Sequence, residues 1–140
     1  LPGFGYEDDD DTQEVYEFPH VGDVKIGNRV RIGALCTIDR SALGSTSIGD
    51  DTKFDDNVHV GHNTKIGKRC KITASVTISG SVLIGDDCWI APNAVIRDWR
   101  TIKKNSIIGT GAVVVNNIEE NSTVAGNPAR IFPRPKNRYR

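Results

Sequence analysis

Large apolar residues recur at every sixth position through most of this chain. The series runs Ile48, Phe54, Val60, Ile66, Ile72, Ile78, Ile84, Ile90, Ile96, Ile102, Ile108 and Val114. A period of six fits neither the 3.6-residue repeat of an α-helix nor the alternation of an ordinary hairpin strand. It is typical of short strands separated by tight corners. Three such strand-and-corner units make one triangular coil of about 18 residues. The repeat predicts an all-β fold: a parallel β-helix of hexapeptide repeats with about five coils.

Small or β-branched residues precede the large ones by two positions. They are Val30, Cys36, Thr52, Val58, Thr64, Cys70, Val76, Val82, Cys88, Ala94, Ser106 and Ala112, with Arg100 as the exception. Both positions are expected to point inward, while glycine and polar residues turn the corners. All three cysteines occupy the small inward position, so we expect reduced core residues rather than a disulfide or a nucleophile. Reduced cysteines fit a cytoplasmic protein.

The count breaks once, between Ile38 and Ile48, where the spacing is ten residues instead of six. The four extra residues lie around the stretch DRSALGST and predict a loop inserted at one corner. Column arithmetic then stacks five large residues on one face: Ile38, Val60, Ile78, Ile96 and Val114. The inserted loop is therefore expected above the corner that carries His62. Gly80, which follows His62 by one coil, is expected directly below it.

This edge of the predicted prism is the best candidate site in the sequence. A corner histidine alone is unremarkable, but a loop above it and bare glycine backbone below it leave room for a ligand. His62 has the chemistry of a general base near neutral pH, and the Gly80 N–H that of an oxyanion donor. Asn63 or Asp56 is expected to orient His62 or the substrate, and the sequence does not choose between them.

The face that precedes this corner supplies further candidates for substrate binding. They are Asp56, Asn57 and His59. His59 is at an outward strand position, where an ordinary surface residue is also expected.

Both ends of the chain depart from the repeat. We expect a loop or irregular hairpin over 1–19, the β-helix over 20–117, and a capping segment with a basic tail over 118–140. The acidic run Asp8–Asp11 lacks the ligand spacing of a calcium loop, so we expect a solvated turn. Basic residues at the other end would attract a phosphorylated ligand or only increase solubility. These residues are Arg130, Arg134, Lys136, Arg138 and Arg140.

The overall charge gives no sign of a nucleic-acid or membrane partner. Lysine plus arginine number 18, and aspartate plus glutamate also number 18, so no charge excess attracts either surface. No apolar run approaches the ~20 residues that a membrane helix needs. No secretory signal opens the chain. Because it begins at Leu1 without a methionine, we expect a processed chain or a piece of a longer protein.

A resemblance to a known family rests chiefly on residues 38–67, IDRSALGSTSIGDDTKFDDNVHVGHNTKIG. This stretch resembles the core of the UDP-3-O-acylglucosamine N-acyltransferases of lipid A synthesis, as does GFGY near the start. The stretches GSVLIGDDCWIAPNAVI and GTGAVV…VAGNPAR are more similar to acetyl-CoA-dependent sugar acetyltransferases of the same hexapeptide superfamily. The resemblance covers nearly the whole chain, from Gly3 to Arg130. It implies a left-handed coil, whereas general rules for parallel strands favour the right-handed one.

The resemblance also implies an assembly and a mechanism. It implies a homotrimer with active sites between neighbouring prisms, and His62 as the catalytic base. The chain departs from the lipid A enzymes in lacking their uridine-binding domain and their C-terminal helical extension, and in placing Trp99 where they have a second histidine. These departures favour acetyl-CoA or another short acyl-CoA over acyl carrier protein as the donor.

A coenzyme path follows from the same edge. Below Gly80 the edge continues through Asp98 to Asn116, about 10 Å further. A pantetheine arm along it would bring the nucleotide near Arg130. The candidate cofactor-binding residues are Gly80, Asp98, Gly109, Gly111, Ala112 and Arg130. The expected function is transfer of an acetyl or short acyl group from acyl-CoA to the amino group of a nucleotide-linked sugar in lipopolysaccharide biosynthesis.

Four alternatives are weighed against this function. One is a UDP-3-O-acylglucosamine N-acyltransferase-type enzyme that uses acyl carrier protein, and another is transfer to a hydroxyl group. A third is a non-catalytic β-helix. As a scaffold or ice-binding prism it would need a uniform outward column to form a flat binding face, and the column here is mixed: Lys53, His59, Lys65, Lys71, Thr77, Leu83 and Trp89. An inactive acyltransferase relative stays open.

The fourth alternative is a zinc carbonic anhydrase, which needs three histidine ligands. His20 lies 39 residues before His59, and His59 and His62 occupy different positions of the repeat. We therefore expect neither their convergence nor a metal.

Overall fold

The computed structural model describes residues 1–133 and builds them from short β-strands. In chain order the strands are β1 (Tyr6–Asp8), β2 (Val15–Glu17), β3 (Asp23–Ile26), β4 (Thr37–Ile38), β5 (Ser45–Ile48), β6 (Lys53–Phe54), β7 (His59–Val60), β8 (Lys65–Ile66), β9 (Lys71–Ile72), β10 (Thr77–Ile78), β11 (Leu83–Ile84), β12 (Trp89–Ile90), β13 (Val95–Ile96), β14 (Thr101–Ile102), β15 (Ile107–Ile108), β16 (Val113–Val114), β17 (Thr123–Ala125) and β18 (Arg130–Ile131). Four residues of the predicted basic tail lie outside the described part of the chain: Arg134, Lys136, Arg138 and Arg140.

Three parallel sheets form the faces of a triangular prism. The first contains β4, β7, β10, β13 and β16, the second β3, β5, β8, β11 and β14, and the third β6, β9, β12, β15 and β17. Strand β18 joins the third sheet antiparallel to β17. Stacking of these short parallel strands confirms the predicted β-helix of about five coils. Isolated bridges at either end bring the solenoid to about six turns.

Large inward residues stack in register from coil to coil. Ile38 pairs with Val60, and Val60 pairs with Ile78, so the column predicted across the four-residue insertion is correct. Ile78 and Ile96 have no exposed surface. Burial of each such side chain contributes about 1.5–3 kcal/mol to folding, which is why the sixfold apolar repeat determines the fold.

Corner geometry differs from the expectation in one respect. The left-handed residue lies three positions after each large inward residue: Arg29, Leu35, Asp51, Asn57, Asn63, Arg69, Ser75, Ser81, Asp87, Asn93, Trp99, Asn105, Gly111 and Asn121. Most are polar, and Asn and Asp tolerate this conformation best. A glycine directly follows many of the large inward residues, and Gly61 is one example. It is needed for close packing, because a Cβ on Gly61 would lie 2.7 Å from the Gly80 backbone N. The prediction that glycine or polar residues turn the corners is therefore confirmed for the polar residues, whereas Gly61 lets neighbouring coils approach.

The three cysteines line the inside of the prism, as predicted. Cys70 and Cys88 are buried, Cys36 is half-buried, and all three are free thiols. Contact with Cys88, together with burial, raises the pKa of the Cys70 thiol. A thiol in this state is a poor nucleophile, so its position and its chemistry both assign it to the core.

An antiparallel hairpin of β1 and β2 precedes the prism. Between its strands, the Asp9 carboxylate accepts hydrogen bonds from the N–H groups of Asp11 and Thr12 at 2.8 and 2.9 Å. The start of the chain is fastened to the inserted loop, because the Leu1 carbonyl accepts from the Arg40 N–H at 2.8 Å. The predicted boundaries at residues 19 and 117 stay predictions, and β17 continues the stacking beyond the second.

Candidate active site

His62 lies at the corner that follows β7, where its side chain is half-buried. A Cβ added to Gly80 would lie 2.8 Å from the imidazole Nε2 and 2.9 Å from Cε1. The imidazole therefore occupies the space that any side chain at position 80 would fill. This contact agrees with the stacking predicted for the corner.

The backbone of Gly80 offers a donor beneath the imidazole. Its carbonyl accepts a hydrogen bond from the Trp99 N–H at 3.1 Å, whereas its own N–H donates to no acceptor within residues 1–133. An unpaired backbone N–H in the residue beneath a basic nitrogen is the kind of donor that oxyanion stabilisation uses. Trp99, in the next coil, is 71% exposed and adopts a left-handed corner conformation.

His20 packs against His62, contrary to the expectation that the histidines do not converge. The two ring centroids are 4.8 Å apart, with an angle of 71° between the planes. Because a carbonyl only accepts, the His20 Nδ1–H donates to the Phe18 carbonyl at 2.8 Å. The expectation failed because it counted positions within the repeat, whereas His20 belongs to the segment that enters the first coil.

Asp39 is a buried carboxylate that sequence reasoning missed. It is 6% exposed and begins the inserted loop, where its N–H donates to the Val60 carbonyl at 2.9 Å. Its Oδ2 lies 3.9 Å from Nε2 of His59. The register already carried the signal, since Asp39 follows Ile38 as Gly61 follows Val60 and therefore lies above the residue that precedes His62.

The pKa of His62 is lowered from its ordinary value, mainly because burial disfavours the charged imidazolium and secondly because His20 is close. The Asp39 charge and the Phe4 backbone act in the opposite direction. The effect of Phe4 is that of a backbone hydrogen bond to the ring, but the contact is poorly aligned, and the buried Nδ1 has no well-formed hydrogen bond among the described residues. The balance keeps His62 neutral at neutral pH, as a general base must be.

Asn63, predicted to help catalysis, fastens the inserted loop above the His62 corner. Its Oδ1 accepts hydrogen bonds from the Ser41 hydroxyl and from the Ala42 N–H, the latter at 2.8 Å. Its Nδ2 lies 3.5 Å from the Ser81 hydroxyl in the coil below. These contacts support a positioning contribution: Asn63 holds the inserted loop above the site.

The three candidate substrate-binding residues do not all lie beside His62. Asp56 and Asn57 are exposed at the opposite edge of the first sheet, where they bond to Ala34 N at 2.7 Å and to Ser75 Oγ at 3.2 Å. His59 lies between these edges on β7, with its Nδ1 2.8 Å from the Thr37 hydroxyl.

The candidate cofactor residues fall on two edges of the prism. Asp98 continues the His62 edge and pairs with Arg97 at 3.5 Å. Gly109, Gly111 and Ala112 lie at the corner between the third and first sheets. Arg130 lies near that corner, since Gly109 N bonds to Val124 O and Ala125 pairs with Arg130.

Because the candidate cofactor residues lie on two edges, the predicted coenzyme path from Gly80 to Arg130 along one edge is corrected. The side chain of Ala112 is fully buried, so it cannot contact a ligand. The edge below His62 also does not lead to Arg130 within one chain.

Two open cavities flank Asn63, the neighbour of His62. One, of about 320 Å³, is lined by Phe18, Ser41, Ala42, Leu43, Gly44, Ser45, Asn63 and Lys65. The other, of about 430 Å³, is lined by Asn63, Ser81, Leu83, Trp99 and Thr101. The volumes are in the range of small-molecule sites.

Residues 1–133 contain neither a cluster of metal ligands nor a membrane-spanning helix. No three His, Cys, Asp or Glu side chains in this range are grouped so as to hold a metal ion. Nor does the range contain a helix long and apolar enough to cross a membrane.

The stacked coils and the histidine corner define a left-handed parallel β-helix of the hexapeptide class. The chain belongs to the bacterial transferase hexapeptide (six repeats) family, whose model matches residues 45–80 and 81–116, just over half of the chain.

Similar proteins carry acyltransferase names. Over 127 residues, 91% of this chain and 41% of the relative, the chain is 42% identical to a probable UDP-3-O-acylglucosamine N-acyltransferase 2, mitochondrial, of Arabidopsis thaliana. It is 38% identical to the UDP-3-O-acylglucosamine N-acyltransferase of Caulobacter sp. strain K31 over 86% of this chain and 35% of the relative. The chain thus spans less than half the length of these relatives.

A solved structure gives the same architecture. The Arabidopsis UDP-N-acetylglucosamine acyltransferase superposes with a TM-score of 0.79 at 28% identity, covering 82% of this chain and 41% of that one.

Proposed function

We propose that the chain transfers an acyl group from a thioester to the amino group of a nucleotide-linked sugar, with His62 as general base. The observation that carries the proposal is the His62 imidazole, held neutral by burial directly over the Gly80 backbone. The names of the relatives support the sugar amine as acceptor.

The chemistry requires one proton acceptor and one oxyanion donor. As the sugar nitrogen attacks the thioester carbonyl, its proton passes to the neutral His62 Nε2. The carbonyl oxygen becomes an oxyanion, and the Gly80 N–H donates to it. When the tetrahedral intermediate collapses, the carbon–sulfur bond breaks and the thiolate takes the proton back from His62.

The two cavities beside Asn63 accommodate the two substrates in this proposal. The upper cavity is lined by the inserted loop and by Lys65, whose hydroxyl and ammonium groups suit a nucleotide-linked sugar. The lower cavity contains Leu83 and Trp99, whose apolar surfaces suit the thioester arm. Asp98 lies beside it on the same edge.

An acyl-CoA is our first choice of donor, with acyl carrier protein as the alternative. The names of the relatives favour an enzyme of the UDP-3-O-acylglucosamine N-acyltransferase type. Acyl carrier protein is therefore retained as the alternative donor. An acyl-CoA puts the nucleotide at Arg130, which lies on another edge of the prism. In a homotrimer that residue would be supplied by a neighbouring chain.

A homotrimer forms part of the proposal because the site of a single chain is open. Leu83, Val95 and Trp99 are 45%, 38% and 71% exposed, and such apolar surface is better buried against another copy. We propose the cytoplasm as the compartment, on the basis of the three free thiols. The name of the Arabidopsis relative places that protein in the mitochondrion.

The test is a matrix of donors and acceptors analysed by mass spectrometry. The purified chain is incubated with UDP-linked amino sugars, each paired with acetyl-CoA, a longer acyl-CoA or acylated carrier protein. We expect a product heavier by one acyl group with at least one pair, and its absence with the matching N-acetylated sugar, which has no free amine. Transfer to that blocked control would identify hydroxyl acylation, and no transfer from any donor would contradict the proposal.

A further inference from the structure

Two buried imidazole nitrogens lie on touching rings, and neither has a hydrogen-bond partner among the described residues. They are Nε2 of His20 and Nδ1 of His62. His20 is 8% exposed, so water does not easily satisfy its nitrogen. Leaving buried polar atoms unpaired costs about 1–3 kcal/mol each, and two such atoms on rings 4.8 Å apart point to a shared purpose.

The tautomer of His20 follows from its other nitrogen. Nδ1 carries a proton, because it donates to the Phe18 carbonyl at 2.8 Å. In neutral His20 the Nε2 atom therefore holds a lone pair and can only accept. The matching donor on His62 would be a protonated Nδ1. A proton on Nδ1 leaves Nε2 of His62 unprotonated, and this is the atom closest to the site of a Cβ on Gly80.

The segment that covers the pair is shaped around it. A Cβ on Gly3 would lie 2.6 Å from the His62 Cβ and 2.7 Å from the His20 Nε2, and one on Gly5 would lie 2.9 Å from the His20 Cε1. Only glycine fits at either place without displacing a ring. The GFG sequence therefore closes the segment over two histidines, which accounts for a motif that the fold alone does not require.

We propose that His20 is a positioning residue whose Nε2 accepts a hydrogen bond from His62 Nδ1 in the reacting state and so keeps the His62 Nε2 basic. The two rings already touch, with centroids 4.8 Å apart, and the bond is not formed in the resting arrangement. During transfer the acceptor proton arrives at His62 Nε2, and the imidazolium donates from Nδ1 to His20. This inference rests on the proposed role of His62 as general base.

Other groups also face His62 and act differently. Asp39 favours the protonated imidazole by its charge, and the Phe4 backbone approaches the ring from the covering segment. His59 faces Asp39. The Phe4 backbone is the competing acceptor for Nδ1, although neither it nor Asp39 forms a well-aligned bond to that atom in the structure. An unchanged tautomer in His20→Phe would assign Nδ1 to Phe4.

The test compares His20→Phe, which keeps a ring without nitrogens, with His20→Gln, which keeps an acceptor. Nitrogen-15 NMR of the labelled chain above pH 7 reads the His62 tautomer without any turnover. We expect the Nδ1–H form in the wild type and in His20→Gln, and a shift toward Nε2–H in His20→Phe. A wild-type His62 in the Nε2–H form, or no shift in His20→Phe, would overturn the inference.

Kinetics then separates this inference from the proposed function. We expect His20→Phe to lower kcat by roughly 10–100-fold, the usual effect of removing a partner that orients a histidine. KM for the sugar should stay nearly unchanged, and His20→Gln should recover most of the rate. Equal rates for His20→Phe and His20→Gln, together with an inactive His62→Ala, would support the proposed function and refute the positioning role of His20. No transfer by the wild type would refute the function, while the NMR result still decides the tautomer.

Discussion

Glycine backbone surrounds the His62 ring on two sides. Gly80 lies below the ring and Gly3 lies against the His62 Cβ, each so close that a methyl group would touch the histidine. The ring is therefore held by shape rather than by a side-chain hydrogen bond, and burial keeps it uncharged. A base prepared in this way depends on two positions that must remain without side chains.

Substitution of Gly80 tests this shape directly. Gly80→Ala should lower kcat by about 10²-fold, because its Cβ would displace the reacting imidazole by a few tenths of an ångström or more. The melting temperature should hardly change, since the atoms displaced belong to a side chain. Gly61→Ala is the matched control: its Cβ would meet the Gly80 backbone at 2.7 Å. That clash should cost about 1–3 kcal/mol of stability.

The opposite pattern in these two variants would contradict the account. Full activity in Gly80→Ala would mean that a ligand and the imidazole do not use this space. A stable Gly61→Ala protein would mean that adjacent coils are less tightly stacked than the structure shows. The two measurements are the initial rate of acyl transfer and the midpoint of thermal unfolding.

The acid limb of the pH profile reports the lowered pKa of His62. Because the neutral imidazole is the base, kcat/KM should hold as pH falls to about 6.5, the ordinary histidine value, and decline only below it. Asp39→Asn should move the decline to still lower pH, because a charge that favours imidazolium is removed. A decline centred above 6.5, or a move to higher pH in Asp39→Asn, would contradict this assignment.

At the scale of elements, the inserted loop and the corner beneath it act as one unit. The loop interrupts the repeat after β4, yet its residues return to the prism through the Asn63 amide. Asn63 also takes the left-handed conformation, with φ of 60°. A single residue thus turns one corner and fixes the roof of the site.

Removal of the Asn63 amide should loosen the loop. Asn63→Ala should destabilise the chain by about 2 kcal/mol, from two lost hydrogen bonds at ~1 kcal/mol each, and should raise KM for the sugar. Asn57→Ala is the matched control, because Asn57 has the same φ within 1° but bonds only to Ser75. Denaturant unfolding of the two variants provides the comparison. Equal losses would mean that the corner conformation, not the loop contact, sets the cost.

The sequence predicted the part of the fold that follows the six-residue repeat, and the reason is physical. Every inward position must be apolar for the coils to stack, so Ile38 and Ile78 could be assigned to one column before any coordinates. The same register predicted the contact of His62 with Gly80. The predicted number of coils and the inward cysteines follow from this spacing too.

Contacts made by segments outside the six-residue repeat could not be predicted from its spacing. His20 reaches His62 through an irregular entry segment, whose path depends on backbone turns rather than on a period. The register gave the position of Asp39 above Gly61, but its burial, at 6% exposed, does not follow from the spacing. Gly61 was assigned to a turn rather than to close packing because a glycine signals both a turn and a close approach, and only the backbone angles separate the two.

At the scale of the molecule, the prism exposes apolar surface that a single chain leaves uncovered. Leu83 and Trp99 flank the lower cavity of the site. If a second copy covers this surface, the site closes and water is excluded from the thioester. Light scattering at micromolar concentration should therefore give three times the 15.3 kDa mass of the chain. A monomer would contradict the homotrimer.

An interface variant links assembly to activity. Leu83→Lys should place a charge on the apolar face and convert the trimer to monomer, with loss of turnover. Lys71→Glu, a charge change on the exposed surface of β9 in the third sheet, is the comparison and should leave the assembly intact. A monomeric Leu83→Lys protein with full activity would show that one chain suffices for the reaction.

The most direct test of the central claim is the rate of acyl transfer after removal of the His62 imidazole. With the acceptor and donor identified by mass spectrometry, His62→Ala should lower kcat by roughly 10²–10⁴-fold, the usual contribution of a positioned general base. His59→Ala, three residues away on β7, should lose far less, so that a general disturbance of this coil is separated from loss of the base. A His62→Ala protein that keeps a near-normal kcat would contradict the account.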